Sequence, residues 1–161
     1  MEAGQYAGRS LDVAAIQGAT AHGVSQLQQT LFSDTNSGQV CTGLQKMAQR
    51  WLLEFMTIRG SMPWGLQMRG TDFMRLLRRG ELRTEADVQA AYLASGVQAW
   101  QNLTNEDTGA EPADERFASS SLLGIVLEPG KLTLRVSLLS AAGTSYTVIL
   151  PVSTTPANLT V

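Results

Sequence analysis

Few residues in this chain have the types and spacing for chemistry. It carries one histidine, His22, and one cysteine, Cys41. Nucleophilic catalysis of the Ser–His–Asp kind needs an imidazole held in register with a hydroxyl and a carboxylate. His22 stands instead in a Gly, Ala, Thr and Ser stretch without a period to fix its place. Zinc needs three or four converging Cys, His or carboxylate ligands, and His22 has none near it in sequence. A lone Cys41 makes no intrachain disulfide, so folding requires no oxidising compartment.

Two carboxylates make the better case. Glu54 and Asp72 flank an apolar loop, and a glycosidase needs two acids roughly 5–9 Å apart in a cleft. Each also has a plainer place, Glu54 on the polar face of a helix and Asp72 in the first turn of another. Gly60, Gly65 and Gly70 lack the following Gly-Lys-Ser/Thr of a phosphate-binding loop. The expectation is a non-catalytic protein with no cofactor and no metal.

The elements that would position these residues can be read from period and turn chemistry. Residues 1–41 show no sustained period and read as an irregular arm, with a short hairpin pairing 30–32 with 39–41 across a Ser-Asp-Thr-Asn-Ser-Gly turn. Leu44, Met47, Ala48, Trp51, Leu52 and Phe55 recur at helical spacing, with Gln45, Lys46, Gln49, Arg50 and Glu54 opposite and Thr42 as N-cap. A second, short helix starts from Thr71 and stops at Gly80, with Asp72 and the arginines complementing its dipole. A third opens on Thr84-x-x-Asp87, a variant of the capping box. Its predicted buried face is Val88, Ala91, Tyr92, Ser95, Gly96, Ala99, Trp100 and Leu103, where small Ser95 and Gly96 point to the close approach of another backbone.

An acidic loop over 104–115 follows. Residues 117–127, a Glu-Pro-Gly-Lys turn of type II, the alternating 132–138 and the returning 144–152 make a β-meander. The fold class is α+β, with about three helices on one face of a small antiparallel meander. The domain spans 42–152, between the arm and a C-terminal tail over 153–161.

Charge narrows the partners. Only 16% of residues are charged and the net charge is −2, which gives no global field for nucleic acid. The pattern is uneven. Arg50, Arg59, Arg69, Arg75, Arg78, Arg79 and Arg83 outnumber Glu54, Asp72 and Glu81, whereas Glu106, Asp107, Glu111, Asp114 and Glu115 stand without a base. A solvated face explains this as well as an interface does. The start of the chain shows no basic and apolar leader, and no apolar run reaches the ~20 residues of a membrane span. A protein partner is expected, with neither nucleic acid nor membrane. Its contact residues are expected in the apolar loop (Met62, Trp64, Leu66, Met68), among the arginines (Arg75, Arg78, Arg79) and on the last strand (Tyr146, Val148, Leu150). That strand lacks charged gatekeepers and would offer an open edge.

The order of features over 42–77 resembles a known family. Helix 43–53 leads to Thr57-Ile58-Arg59-Gly60, then to Gly70-Thr71-Asp72-Phe73 and Leu76-Leu77. This is similar to the baseplate wedge and sheath-initiator proteins of contractile-tailed bacteriophages, once called lysozyme-like. Gly60, Gly70, Thr71 and Asp72 carry the loop-and-helix element. The family's Glu-Pro-Arg triad is not matched, since Ala113 follows Glu111-Pro112 and Gly130 follows Glu128-Pro129. The resemblance implies a structural virion protein of a six-fold tail baseplate, assembled in the host cytoplasm. Its partners would be other baseplate or tail proteins and sheath or tube subunits. A head–tail connector or tail terminator is the alternative within the same class, and a small cytosolic hydrolase the alternative outside it.

Overall fold

A computed structural model describes residues 12–13, 40–63 and 68–154 of the chain. Two short strands, β1 (Asp12–Val13) and β2 (Val40–Cys41), pair antiparallel. They precede helices α1 (Gly43–Met56), α2 (Phe73–Arg78) and α3 (Glu85–Glu106). Strands β3 (Phe117–Glu128), β4 (Lys131–Ser140) and β5 (Ser145–Ser153) close the chain as an antiparallel sheet in sequence order. The architecture is α+β, three helices with a three-stranded meander.

Amphipathic period builds the core. Leu132, Leu134, Val136 and Leu138 alternate along β4 and are fully buried, each burial stabilising by about 1.5–3 kcal/mol. Val148, Leu150 and Val152 continue the same face on β5. The three helices bring one aromatic cluster to it. Trp51 stacks on Phe55 at 4.8 Å, and Phe55 meets Phe73 of α2 at 4.9 Å and Tyr92 of α3 at 5.6 Å. α1 packs on β4 and β5, and α3 lies along β3. Gly130 takes φ +77 in the β3–β4 turn, as a type II turn asks of its third position. Thr84 and Asp87 form a reciprocal capping box at the start of α3.

Several expectations change. Val40–Cys41 pairs with Asp12–Val13, and the other arm of the expected hairpin, 30–32, lies outside the described residues, as do most of the arm and 155–161. The folded unit reaches past both expected borders, because Cys41 is buried and Ser153 pairs with Lys131. Asp72 precedes α2 with helical φ and ψ and makes no side-chain cap bond, while the expected cap, Thr71, accepts from the Phe73 N–H at 3.4 Å. The same hydroxyl donates to the Phe55 carbonyl at 2.7 Å, and the Thr71 backbone bridges Ile58 in parallel register. At Gly96 the neighbour is the Ser120 side chain, 3.8 Å from where a Cβ would stand. That is ordinary contact, with no close backbone.

Candidate functional site

The residues that could do chemistry are clamped. Glu54 sits inside the molecule at 2% exposure, off the polar face expected for it from its residue type. Its Oε1 accepts from the Gly70 N–H at 2.6 Å and from the Asn102 amide at 2.5 Å. Its Oε2 accepts from Arg69 Nε at 2.7 Å and pairs with Arg69 Nη2 at 2.5 Å. Asn102 also donates to the Met68 and Gly70 carbonyls. One carboxylate therefore joins the end of α1, the base of the 60–70 loop and the last turns of α3. Gly70 is required there: its φ is +87, and a Cβ would stand 2.5 Å from the Thr57 carbonyl oxygen.

Asp72 is tied to the same helix one turn earlier. Gln98 Nε2 donates to its Oδ2 at 2.8 Å, the Asp72 N–H donates to Gln98 Oε1 at 2.9 Å, and Arg75 pairs with Oδ1 at 2.9 Å. Gln98 and Asn102, four residues apart on one side of α3, thus hold the two acids that a hydrolase reading would use.

The acidic segment docks on α1. Glu115, at 1% exposure, accepts from the Gly43 N–H and from Lys46, both at 3.1 Å. Glu111 takes Arg50 at 2.6 Å, and Glu106 pairs with Arg50 at 3.4 Å and with Arg69. The acidic segment thus takes Lys46, Arg50 and Arg69 as partners within the chain. Lys46 and Gln49, two more members of the expected polar face, are buried as well, Lys46 on Glu115 and Gln49 Oε1 beside the Cys41 thiol at 3.7 Å. A charge leaving water is costly unless paired and hydrogen-bonded, and these are.

The expected contact residues divide. Met62 is 38% and Met68 66% exposed, while Trp64 and Leu66 lie outside the described residues. Arg75, Arg78 and Arg79 are exposed, Arg75 spanning to Asp72 and Arg79 lying 3.8 Å from Glu81. Val148 and Leu150 are a correction. They are buried beneath the helices, because alternation on β5 turns every second residue to the core, and half-buried Tyr146 packs against the same cluster. No other described strand pairs with the outer edge of β5.

One surface emerges that period alone misplaces. Trp100, expected in the core, is 46% exposed, beside Leu93 at 60% and Val97 at 55%. These three rim a groove of about 220 Å³ between α3 and β3, floored by Tyr92 and Gly96 and walled by Ser119 and Ser120. Burial pushes the Tyr92 phenol above its usual pKa, and the Ser120 hydroxyl acts in the opposite sense. From Val88 to Asn105 the helix has no charged side chain. That blank was present in the sequence and is the signal by which this surface could have been found.

No helix among the described residues is long and apolar enough to cross a membrane. No protein-family model, curated protein or solved structure matches the chain.

Proposed function

We propose that this chain is a structural assembly protein, and specifically a component of a phage tail baseplate that joins wedge proteins and seeds the sheath. The observation that carries the structural reading is the use made of the buried acids. Glu54 and Glu115 each accept from two or more donors drawn from other parts of the chain, and half-buried Asp72 accepts from Gln98 of α3 and pairs with Arg75 of its own helix. A general acid or nucleophile must keep a face free for substrate, whereas these carboxylates act as struts between elements. The baseplate assignment rests on the resemblance over 42–77. In its favour, Gly60, Gly70, Thr71 and Asp72 belong to one local unit with the end of α1, closed by the Ile58–Thr71 bridge.

The outer surface suits assembly. Exposed Met62 and Met68, the charge-free side of α3 and the edge of β5 that no other described strand pairs are apolar or hydrogen-bonding surfaces of the kinds that proteins cover with partners. A strand added at β5 would bind through main-chain pairing and tolerate varied sequence.

Two assays test the reading. Antibody labelling of purified tailed particles should place the protein at the baseplate, and its absence from the particles would refute the assignment. Purified protein should not clear peptidoglycan. Clearing that vanishes in Glu54→Gln, with the fold intact, would return the hydrolase reading.

A further inference from the structure

We propose that the charge-free side of α3 is a two-fold interface, through which the free protein pairs with a second copy of itself. The helices would cross antiparallel, with the axis at Val97.

Charge is the first argument. In a two-fold contact every residue near the axis meets its own kind or its mirror position, so any charge near the centre meets a like charge. On α3 the exposed positions around Val97 are Ala90, Leu93, Ala94, Trp100 and Gln101, and none is charged. A solvated helix ordinarily carries charge on its outer side. Interface centres are marked instead by charge depletion and by large aromatics such as Trp.

Size is the second argument. In an antiparallel pair centred on Val97, positions whose numbers average 97 lie opposite one another. Trp100 then faces Ala94 of the second copy, and Leu93 faces Gln101. The largest side chain of the patch meets one of its smallest, with the groove beside it to receive the indole. Large-against-small facing is what lets packed layers interdigitate without voids.

The flanks choose the crossing angle. Glu85 and Asp87 precede the patch and Glu106 and Asp107 follow it, so a shallow antiparallel contact would bring acids toward acids. At the steep crossing near −50° that is commonest in globular proteins, helix ends roughly 15 Å from the centre splay apart by more than a Debye length at physiological salt. The contact runs about 12 Å along α3, from Leu93 to Gln101, and falls at the small end of specific interfaces. Association is therefore expected in the micromolar range, tightening slightly as salt screens the flanking acids.

The C-terminal segment fits less well, since the chain leaves β5 beside Gly130, at the end of the sheet far from Ser119 and Ser120 in the strand register. The pairing does not depend on the baseplate reading. A polar tail has no place for a two-fold pair, so there the pair would be the free form, exchanged for a neighbour on assembly.

The test is sedimentation equilibrium of the full chain over roughly 1 to 200 µM, the range in which so small an interface associates. Wild type should pass from monomer to dimer. Val97→Glu and Val97→Lys should each be monomeric, since the axis sets like charges together, and an equimolar mixture of the two should dimerise again. A monomeric wild type at the highest concentration overturns the proposal, as do dimers formed by either variant alone or a mixture that stays monomeric. Circular dichroism checks that the exposed Val97 site leaves the fold intact. Val97→Ser, the milder change, should weaken pairing at least tenfold, and unchanged association in that variant also overturns the interface.

Discussion

The polar side of α1 and the outer side of α3 exchange the roles that their composition assigns them. The first carries Lys46, Gln49, Arg50 and Glu54, and three of these four are buried. The second carries Leu93, Val97 and Trp100, all substantially exposed. The difference lies in what docks. The acidic segment and the base of the 60–70 loop bring matching partners to α1, so its charges leave water already paired. Nothing among the described residues covers the outer side of α3. Polarity therefore marks the internal seam of this molecule, and its absence marks the external one.

Breaking the internal seam should have the largest effect. Glu54→Ala would strand the Gly70 N–H and take one partner each from the Arg69 guanidinium and the Asn102 amide, which keep Glu106 and the Met68 and Gly70 carbonyls. Removing one partner of a buried ion pair costs about 3–5 kcal/mol, and the partial access of Arg69 to water places this case at the lower end. Urea denaturation should show a large share of a domain's typical ~5–15 kcal/mol gone. A loss below about 1 kcal/mol would mean that the carboxylate is no strut.

Gly70→Ala comes next. It combines a left-handed backbone with a Cβ driven into the Thr57 carbonyl, for an expected loss of about 1–3 kcal/mol. Gly60→Ala has a similar φ but open space around it, and should lose less. Equal losses at the two positions would remove the case for close approach at Gly70.

The smallest effect concerns the start of α3. The Thr84 side-chain and backbone hydrogen bonds hold the Asp87 carboxyl below its usual 3.8. A depressed folded-state pKa gives stability that is present above the unfolded value and lost as pH falls through the folded one. Asp87→Asn should therefore be slightly less stable than wild type at neutral pH, and the gap should close under acid. A gap that widens on acidification would contradict the capping box.

Much of the fold was legible because period and turn chemistry are local. Strand β4, the Pro129–Gly130 turn, the Thr84 cap and the end of α1 all sit where their residue types place them. The site was less legible. Glu54 follows Met47 by seven residues and Trp51 by three, so it lies on the buried stripe, yet its carboxylate argues for water. Only the distant Asn102 and Arg69 resolve the conflict, and no local pattern links them to it. Trp100 fails in the opposite sense. Its bulk argues for the core, but the buried side of α3 is already filled by Val88, Ala91, Tyr92, Ala99 and Leu103. Val148 and Leu150 point inward on β5, because alternation along the strand is legible but which of its two faces meets the helices is not.

The most direct test sets the two regions side by side: the unfolding free energies of Glu54→Ala and Trp100→Ser, measured in dilute protein where self-association does not contribute. The account predicts a loss of about 3 kcal/mol or more for the buried acid. For the exposed tryptophan it predicts a change within about 0.5 kcal/mol. A tryptophan variant that unfolds while the glutamate variant stays near wild type would show that the charged seam is surface and the neutral helix face is core.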